Sequence, residues 1–437
     1  MFYSCFLFLV SCASDSNSVL AIPEVELQNV KFAFYCSEQN FRSRDKVEVK
    51  VNSTENSNYA LVSIAQGDTM LTIKANPFTQ QSKNTNFYKG CDWITSFEFT
   101  LPDTLSNGIY GLFGVDDKGQ TCSFPMVISE RNKSELLIVC STHTWQAYNF
   151  WGGGSFYRLD TVWKQYGTVS NYVHFDRPNP YARNSSHLIK GELHLHKWLN
   201  KQQIGYALCS DLELSTGVDL SKYKTIVLNC HNEYWTDEMY DSIERFTQNG
   251  GNLISLGGNQ MYARVTYKAG QMEFHEHGGE HQHDGSEGGL WRNLNRPESG
   301  ILGVQYTMDL YDTYAPYQII EGNHWVFGED VDLTGQQFGS FSDNRGWAAG
   351  HEMDVTTEFS PTSTTVLAKG LNGLELSDGI WTSKPGGAEI VIGEYPNGGQ
   401  FFSVGSITFS GALAHDPVAS DMLLNVLTKF KVLIPNE

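Results

Sequence analysis

From Pro23 to about Arg131, apolar and polar residues alternate in short runs, KVEVKV, YALVSI, SFEFTL and FPMVI, separated by Asn, Gly, Ser, Asp and Pro clusters. Period-two alternation marks half-buried strands, and runs spaced about ten residues apart with turn residues between them predict a β-sandwich. The turn Leu105-Ser106-Asn107-Gly108 ahead of IYGLFGV predicts a hairpin. No cluster of titratable groups stands out in this region, which reads as a structural or positioning module.

Past Glu135 the pattern changes to apolar runs alternating with helical stretches, the signature of βαβ units and a mostly parallel sheet. ELLIVC reads as the first strand. LHKWLNKQQI places Leu195, Trp198, Leu199 and Ile204 on one helical face before Gly205. The clearest unit runs TIVLNC, HNEYW, TDEMYDSIERFTQNGG, NLISLGGN: Thr236 as N-cap, Asp237 and Glu238 in the first turn, Met239, Ile243 and Phe246 at helical spacing, and Gly250-Gly251 as the stop. The polar, Gly- and His-rich stretch from about Lys268 to Asp284 predicts a long loop. Beyond Pro297 short β-like runs return, ending in GQFFSVGSITFSG and a helix around Ala419 to Phe430.

The chain has 437 residues, which at roughly 150 per domain suggests two or three domains. Its 40% hydrophobic and 18% charged content is that of a globular protein. A formal charge of -19, from 49 acidic and 30 basic residues, argues against nucleic-acid binding and against polybasic attraction to anionic lipid.

Phe2 to Val10 is apolar but shorter than the about 20 residues that a spanning helix needs, so it reads as the core of a signal. Leu9-Val10-Ser11-Cys12 resembles a bacterial lipobox, whose cysteine becomes a lipid-bearing N-terminus; no Lys or Arg precedes Lys31, and an ordinary cleaved signal is the alternative. The expected location is the bacterial cell envelope, lipid-anchored or secreted/periplasmic, with membrane contact only through the anchor. Of the six cysteines behind this segment, Cys140, Cys209 and Cys230 end apolar runs and read as buried thiols, while Cys36 and Cys122 could form a bridge.

In an open α/β sheet, ligands bind beyond the carboxyl ends of the strands. Three segments qualify: TWQAYNFWGGGSFY after ELLIVC, with Tyr148 and Tyr157; His231 and Glu233 of HNEYW; and Asn259 of GGNQMY. Gly152, Gly153 and Gly154 allow a bend that returns Tyr157 toward Tyr148, and Gly257-Gly258 permit close backbone approach. Oxygen donors of this kind suit a hard cation, yet a free phenol titrates near 10, so tyrosinate ligands need a strongly charged metal. Packed tyrosines and a strand-end salt bridge are the bland alternative. A rival metal site is His275, His277, His281 and His283 with Glu276 and Asp284, set against a solvated loop. His194 and His196 read as helix-start residues. Trp145, Trp151 and Trp235 either wall a pocket or pack in the core.

TWQAYNFWGGGSFY, FDRPNPYAR, HNEYWTDEMYDSIERFTQNGGNLISLGGNQMY, RPESGILGVQY and GGQFFSVGSITFSGAL, in this order over about 300 residues, resemble the large (beta) subunit family of N,N-dimethylformamidase. The N-terminal β-region is similar to the sandwich that precedes the catalytic part in that family. The resemblance implies a mononuclear iron, Fe3+, with Tyr148, Tyr157 and Glu233 as ligands. It further implies that His231 lies beside the metal as an orienting or protonating group, that Asn259 donates to a substrate oxygen, and that Glu352 of GHEMD is the base. The tyrosines are nine residues apart, closer than in the amidase itself, so specificity for dimethylformamide is not carried over.

The resulting expectation is a multidomain β plus α/β protein: 1–22 signal and tether, 23–132 an immunoglobulin-like β-sandwich, 133–437 an α/β catalytic domain with a mostly parallel sheet. Its expected activity is metal-dependent hydrolysis of a C–N amide bond in a small-molecule amide, with homo-oligomerisation as a family expectation. The alternative is a non-catalytic envelope lipoprotein that binds a small molecule or glycan.

Overall fold

The computed structural model describes residues 32–432 apart from 81–85, 131–133, 158, 161–164, 181, 183–184, 310 and 378–379. The signal, the lipobox and Cys12 lie outside the described residues. The chain is mostly β-sheet, in several sheets, with few helices.

The first strands are β1 (Phe32–Cys36), β2 (Asn40–Phe41), β3 (Lys46–Ser53), β4 (Ser57–Ser63), β5 (Thr69–Ala75), β6 (Phe97–Thr100), β7 (Gly108–Asp116) and β8 (Thr121–Ile128). They form a three-stranded sheet, β1-β3-β6, and a five-stranded sheet, β2-β8-β7-β4-β5. The expected alternation sends Val47, Val49 and Val51 of β3 and Tyr59 and Leu61 of β4 into one shared core with Phe34, Leu112 and Phe124. The hairpin expected at 105–108 does not form: β6 pairs with β3, whereas β7 pairs with β4 and β8, so the segment crosses between sheets. Asn107 fixes that crossing by donating Nδ2 to the Tyr206 carbonyl at 3.0 Å and accepting from the Glu130 amide at 2.7 Å. Cys36 and Cys122 are free thiols, as are Cys91, Cys140, Cys209 and Cys230, so the expected bridge is absent among the described residues.

The rest of the chain is built on β9 (Leu136–Cys140), α1 (Thr142–Ala147), α2 (Ile189–Lys201), β10 (Ala207–Ser210), α3 (Asp211–Thr216), β11 (Thr225–Cys230), α4 (Asp237–Gln248), β12 (Asn252–Gly257), β13 (Ala263–Lys268), β14 (Gln271–Phe274), β15 (Tyr317–Ile319), β16 (Gln337–Phe338), β17 (Thr365–Gly370), β18 (Glu389–Glu394), β19 (Gln400–Ser403) and α5 (Pro417–Lys429). Nine of these strands make one sheet in the order β10-β9-β11-β12-β19-β18-β17-β15-β16. Only the first five are parallel to one another. From β19 onward every pairing is antiparallel, so the sheet is mixed rather than mostly parallel. The turn from β18 to β19 is too short for a crossover, and a tight turn joins only antiparallel neighbours.

The parallel strands are buried on both faces. Leu136, Ile138 and Cys140 face a core shared with Leu193, Trp198 and Leu199 of α2 and with Met422 and Val426 of α5. Leu137 and Val139 point the other way, toward Met239, Ile243 and Phe246 of α4. Each such fully buried side chain contributes about 1.5–3 kcal/mol. Thr236 caps α4 through Met239 N, as its sequence predicts. The helix read from LHKWLNKQQI begins earlier, at Ile189, which places His194 and His196 in its interior rather than at its start. SITFSG is not strand: a 3-10 helix covers Phe409–Ala412.

Candidate active site

The sheet order reverses at β9, because the chain places β10 on one side of it and then returns to place β11 on the other. The crevice beyond the carboxyl ends of β9 and β11 is where an open sheet leaves room for a ligand. Three segments deliver side chains there. After β9, α1 ends with Tyr148 at its C-cap, and left-handed Gly152 and Gly153, at φ 91° and 92°, reverse the chain. The Tyr157 ring thereby stacks on Tyr148 at 4.0 Å between centroids and 26° between planes. After β11 come His231 and Glu233. After β12, Gly258 lies so close to the Glu352 carbonyl that a Cβ would sit 2.0 Å from that oxygen, and Asn259 follows.

All six residues singled out in the sequence meet here. Glu233 Oε2 accepts from Tyr157 OH at 2.8 Å and from Tyr148 OH at 3.3 Å, and lies 3.1 Å from His231 Nε2. His231 Nε2 is also 3.4 Å from Glu352 Oε2, while its Nδ1 faces the Gly258 carbonyl at 3.1 Å. The Gly258 carbonyl can only accept, so Nδ1 carries a proton, and the two carboxylates facing Nε2 favour a second proton there. Asn259 donates Nδ2 to Glu352 Oε2 at 3.0 Å and lies 3.5 Å from Glu233 Oε1. His231, Glu233, Asn259 and Glu352 are buried, and Tyr148 and Tyr157 are half-buried. Cys230, Asn259, His351 and Glu352 all have left-handed backbones, a concentration of strained residues around one point.

Burial, then the Glu233 charge, pushes the Tyr148 and Tyr157 phenols far above their usual range. Burial also raises the Glu352 carboxyl, helped by Glu233 and opposed by His231. Burial opposes charge on His231 as well, yet Glu352 and Glu233 override it and bring the imidazolium up to about 9.

Sequence reading missed a surrounding layer. Tyr234 OH lies 2.6 Å from Tyr157 OH. The His187 ring packs edge-on to Tyr148 at 4.7 Å, and the His351 ring lies 5.8 Å from His187. Arg345 Nη1 is 2.9 Å from His351 Nδ1. Tyr234 follows Glu233 and His351 precedes Glu352, so both were within reach of the quoted motifs, but nothing local marks His187 or Arg345. Exposed Tyr311 stands beside this layer, its ring 5.3 Å from that of His351.

The other candidates fall elsewhere. Trp145, Trp151 and Trp235 are buried core residues, with Trp235 Nε1 donating to Asn232 O and Trp151 edge-on to Trp93. The stretch expected as a loop contains β14, whose buried Glu273 accepts from Tyr172 OH, His275 Nε2 and the amides of Gln282 and His283. His281 is buried too, while Glu276, His277, Glu280, Gln282 and Asp284 are exposed, so beyond β14 the stretch is a loop, as expected, anchored on one buried carboxylate. Among the described residues its histidines and acids form no group of three converging ligand atoms. A cavity of about 510 Å³ lined by Lys50, His174 and Asp176 shares no residue with the six-residue cluster.

The donor chemistry of the cluster fits a hard cation. Two phenol oxygens and a carboxylate oxygen converge without a thiolate, and Asn259 Oδ1 is buried with no hydrogen-bond partner. Phenols whose protons are held this firmly would become ligands only beside a strong positive charge.

Residues 62–421 match the family described as N,N-dimethylformamidase beta subunit-like, C-terminal. The chain is 25% identical over 418 residues to the N,N-dimethylformamidase beta subunit of Paracoccus aminophilus, covering 78% of this chain and 54% of that protein. It is 24% identical over 417 residues to the corresponding subunit of Alcaligenes sp, with the same coverages. The chain thus spans about half the length of these curated relatives. A trypsin-activated alpha-2-macroglobulin from Escherichia coli aligns at a TM-score of 0.17 over 23% of this chain and 7% of that one, at 9% identity, too distant to inform the fold. With most of its length matched, and with every residue of the cluster inside the match, the chain belongs to the N,N-dimethylformamidase beta subunit-like family.

Proposed function

We propose that this protein is a metal-dependent hydrolase of a C–N amide bond in a small-molecule amide, with Tyr148, Tyr157 and Glu233 holding a single iron ion as Fe3+. The observation that carries this reading is the convergence of two phenols, two carboxylates, an imidazole and a carboxamide within hydrogen-bonding reach of one another at the strand ends. The ion, when bound, supplies Lewis acidity toward a carbonyl oxygen or water.

The chain's own residues divide the remaining work. Glu352, close to both His231 and Asn259, accepts the proton of the attacking water. Asn259 Nδ2 donates to the oxygen on which negative charge develops, and its backbone is fixed by Asp354, which accepts Asn259 N at 2.7 Å. His231, anchored through Nδ1 on Gly258, carries a proton between the carboxylates and the departing amine. The half-buried Tyr148 and Tyr157, with Tyr311 beside His351 at the edge of the cluster, favour a compact amide with apolar substituents.

The first β-module, read as an immunoglobulin-like sandwich over 23–132, acts as a scaffold for residues 133–437. The cell envelope is the proposed location, with residues 1–22 as signal and tether. The curated relatives are named as beta subunits, and assembly into an oligomer is part of the same proposal. A binding lipoprotein without catalysis has less support, because a ligand-binding pocket has no need of two buried carboxylates flanking an imidazole. Amine release from a panel of formamides, acetamides and N-substituted amides tests the activity: the iron-loaded chain turns over at least one member and Glu352→Gln turns over none. Equal amine release by Glu352→Gln, or none by the loaded wild type across the panel, counts against it.

A further inference from the structure

A second group of potential ligands lies inside the protein and shares no residue with the cluster above. Cys140 ends β9, and Glu192 and His196 stand four residues apart on α2, one turn from each other on the same face. A sulfur, a carboxylate oxygen and a ring nitrogen of these residues all lie within 4.8 Å of one another. All three side chains are buried, with exposures of 0%, 0% and 1%. Both ring nitrogens of His196 and Oε2 of Glu192 lack a hydrogen-bond partner, a condition that buried polar groups rarely tolerate.

The surroundings orient the Glu192 carboxyl and leave the His196 ring without a partner. Trp145 Nε1 donates to Glu192 Oε1 at 2.7 Å, Ser141 also stands within reach of that carboxyl, and the Glu192 backbone carbonyl accepts from Asn229 Nδ2 at 3.0 Å. The Tyr206 ring packs against His196 at 5.3 Å. A carboxylate steered by an indole donor is the kind of outer contact that positions metal ligands. One thiol, one imidazole and one carboxylate form a mixed S, N, O set, which suits a borderline divalent cation.

We propose that Cys140, Glu192 and His196 bind a divalent zinc-class ion, distinct from the proposed iron, as a structural clamp between the main sheet and α2. Its role is positional. Trp145, which holds Glu192, lies three residues before Tyr148 on α1, so the clamp joins β9, α1 and α2 at the base of the segment that presents the first tyrosine.

The test uses the full chain, stripped with chelator, reloaded with Zn2+ and desalted, then examined by elemental analysis and zinc-edge X-ray absorption. The expected result is zinc bound with one sulfur at about 2.3 Å and at least one imidazole in its shell. This zinc is retained in Glu233→Gln and lost in Cys140→Ser and in His196→Gln. Reloading with Co2+ gives a thiolate-to-cobalt absorption band that Cys140→Ser lacks. A folded wild-type chain that retains no zinc overturns the proposal, as does zinc without sulfur, or a zinc–sulfur shell that survives Cys140→Ser. Should Cys140→Ser not fold, His196→Gln and the wild-type shell decide: zinc bound by sulfur without imidazole, or retained in full by His196→Gln, overturns it equally.

Discussion

Asn259 and Glu352, 93 positions apart, meet with Asn259 Nδ2 3.0 Å from Glu352 Oε2, and both have left-handed backbones, at φ 51° and 50°. Such a conformation costs on the order of 1 kcal/mol for a non-glycine residue, so two of them in contact mark a geometry that the fold maintains against local preference. If Asn259 stabilises the developing oxyanion, Asn259→Ala lowers kcat by about 10²–10³. Steady-state kinetics with iron content measured on the same samples checks this. A change below threefold at unaltered iron content contradicts the role.

The close approach of Gly258 to Glu352 predicts a stability effect. A Cβ at position 258 would lie 2.0 Å from the Glu352 carbonyl oxygen, a backbone atom that cannot swing away. Gly258→Ala therefore destabilises the fold by about 2–4 kcal/mol. Gly205→Ala, where an added Cβ meets nothing within 4 Å, leaves the melting temperature nearly unchanged. Parallel thermal melts compare the two, and similar melting temperatures rule the steric account out.

Asp354 links stability to pH. Burial pushes its carboxyl from 3.8 up to about 8, opposed by the bond from Asn259 N, while its Oδ2 has no partner. Between these values the folded chain holds a proton that the unfolded chain has released. This contribution to stability is complete below 3.8, declines by up to about 1.4 kcal/mol per pH unit above it, and is lost once pH passes 8. Asp354→Asn keeps an acceptor for Asn259 N and cannot ionise. Urea unfolding at pH 5.5 and 7.5, values about two units apart within the window that linkage defines, should show the wild type losing stability relative to the variant. A constant difference would mean that Asp354 is ionised throughout.

Tyr234 offers a probe of the tyrosine pair. Its hydroxyl is 2.6 Å from that of Tyr157. If Tyr157 is an iron ligand, as proposed, Tyr234→Phe removes this neighbour from its oxygen, and the tyrosinate-to-iron band shifts in wavelength while iron content stays near that of the wild type. An unshifted spectrum would place Tyr157 outside the metal's coordination.

The parts of this architecture legible in the sequence were those encoded locally. Thr236, Met239 and Ile243 fix α4 because cap and apolar spacing lie within a few residues of each other. The alternation Val47, Val49, Val51 encodes the inward face of β3 in the same way. Non-local relationships were not legible. The start of α2 is hidden because Leu188, at the N-cap, makes no side-chain cap, which misplaced His194 and His196. The antiparallel half of the main sheet depends on which edge β19 joins, and nothing within β19 specifies β12 as its neighbour. The site follows the same rule. His231, Glu233 and Asn259 follow closely on strand ends, and Tyr148 and Tyr157 lie in the segment that leaves β9 through α1, where topology opens a crevice, whereas His187 and Arg345 come from segments with no strand-end signature. Their places beside Tyr148 and His351 emerge only once the chain is folded.

The most direct test is iron analysis and a visible absorption spectrum on the purified chain, with Tyr148→Phe, Tyr157→Phe and Glu233→Ala alongside. Convergence of the two phenols on Glu233 predicts near-stoichiometric iron and a tyrosinate charge-transfer band. Each Tyr→Phe exchange should weaken or displace that band, and loss of Glu233 should abolish binding. A correctly folded chain that binds no iron under reconstitution, or binds it with a spectrum indifferent to all three substitutions, would contradict the account.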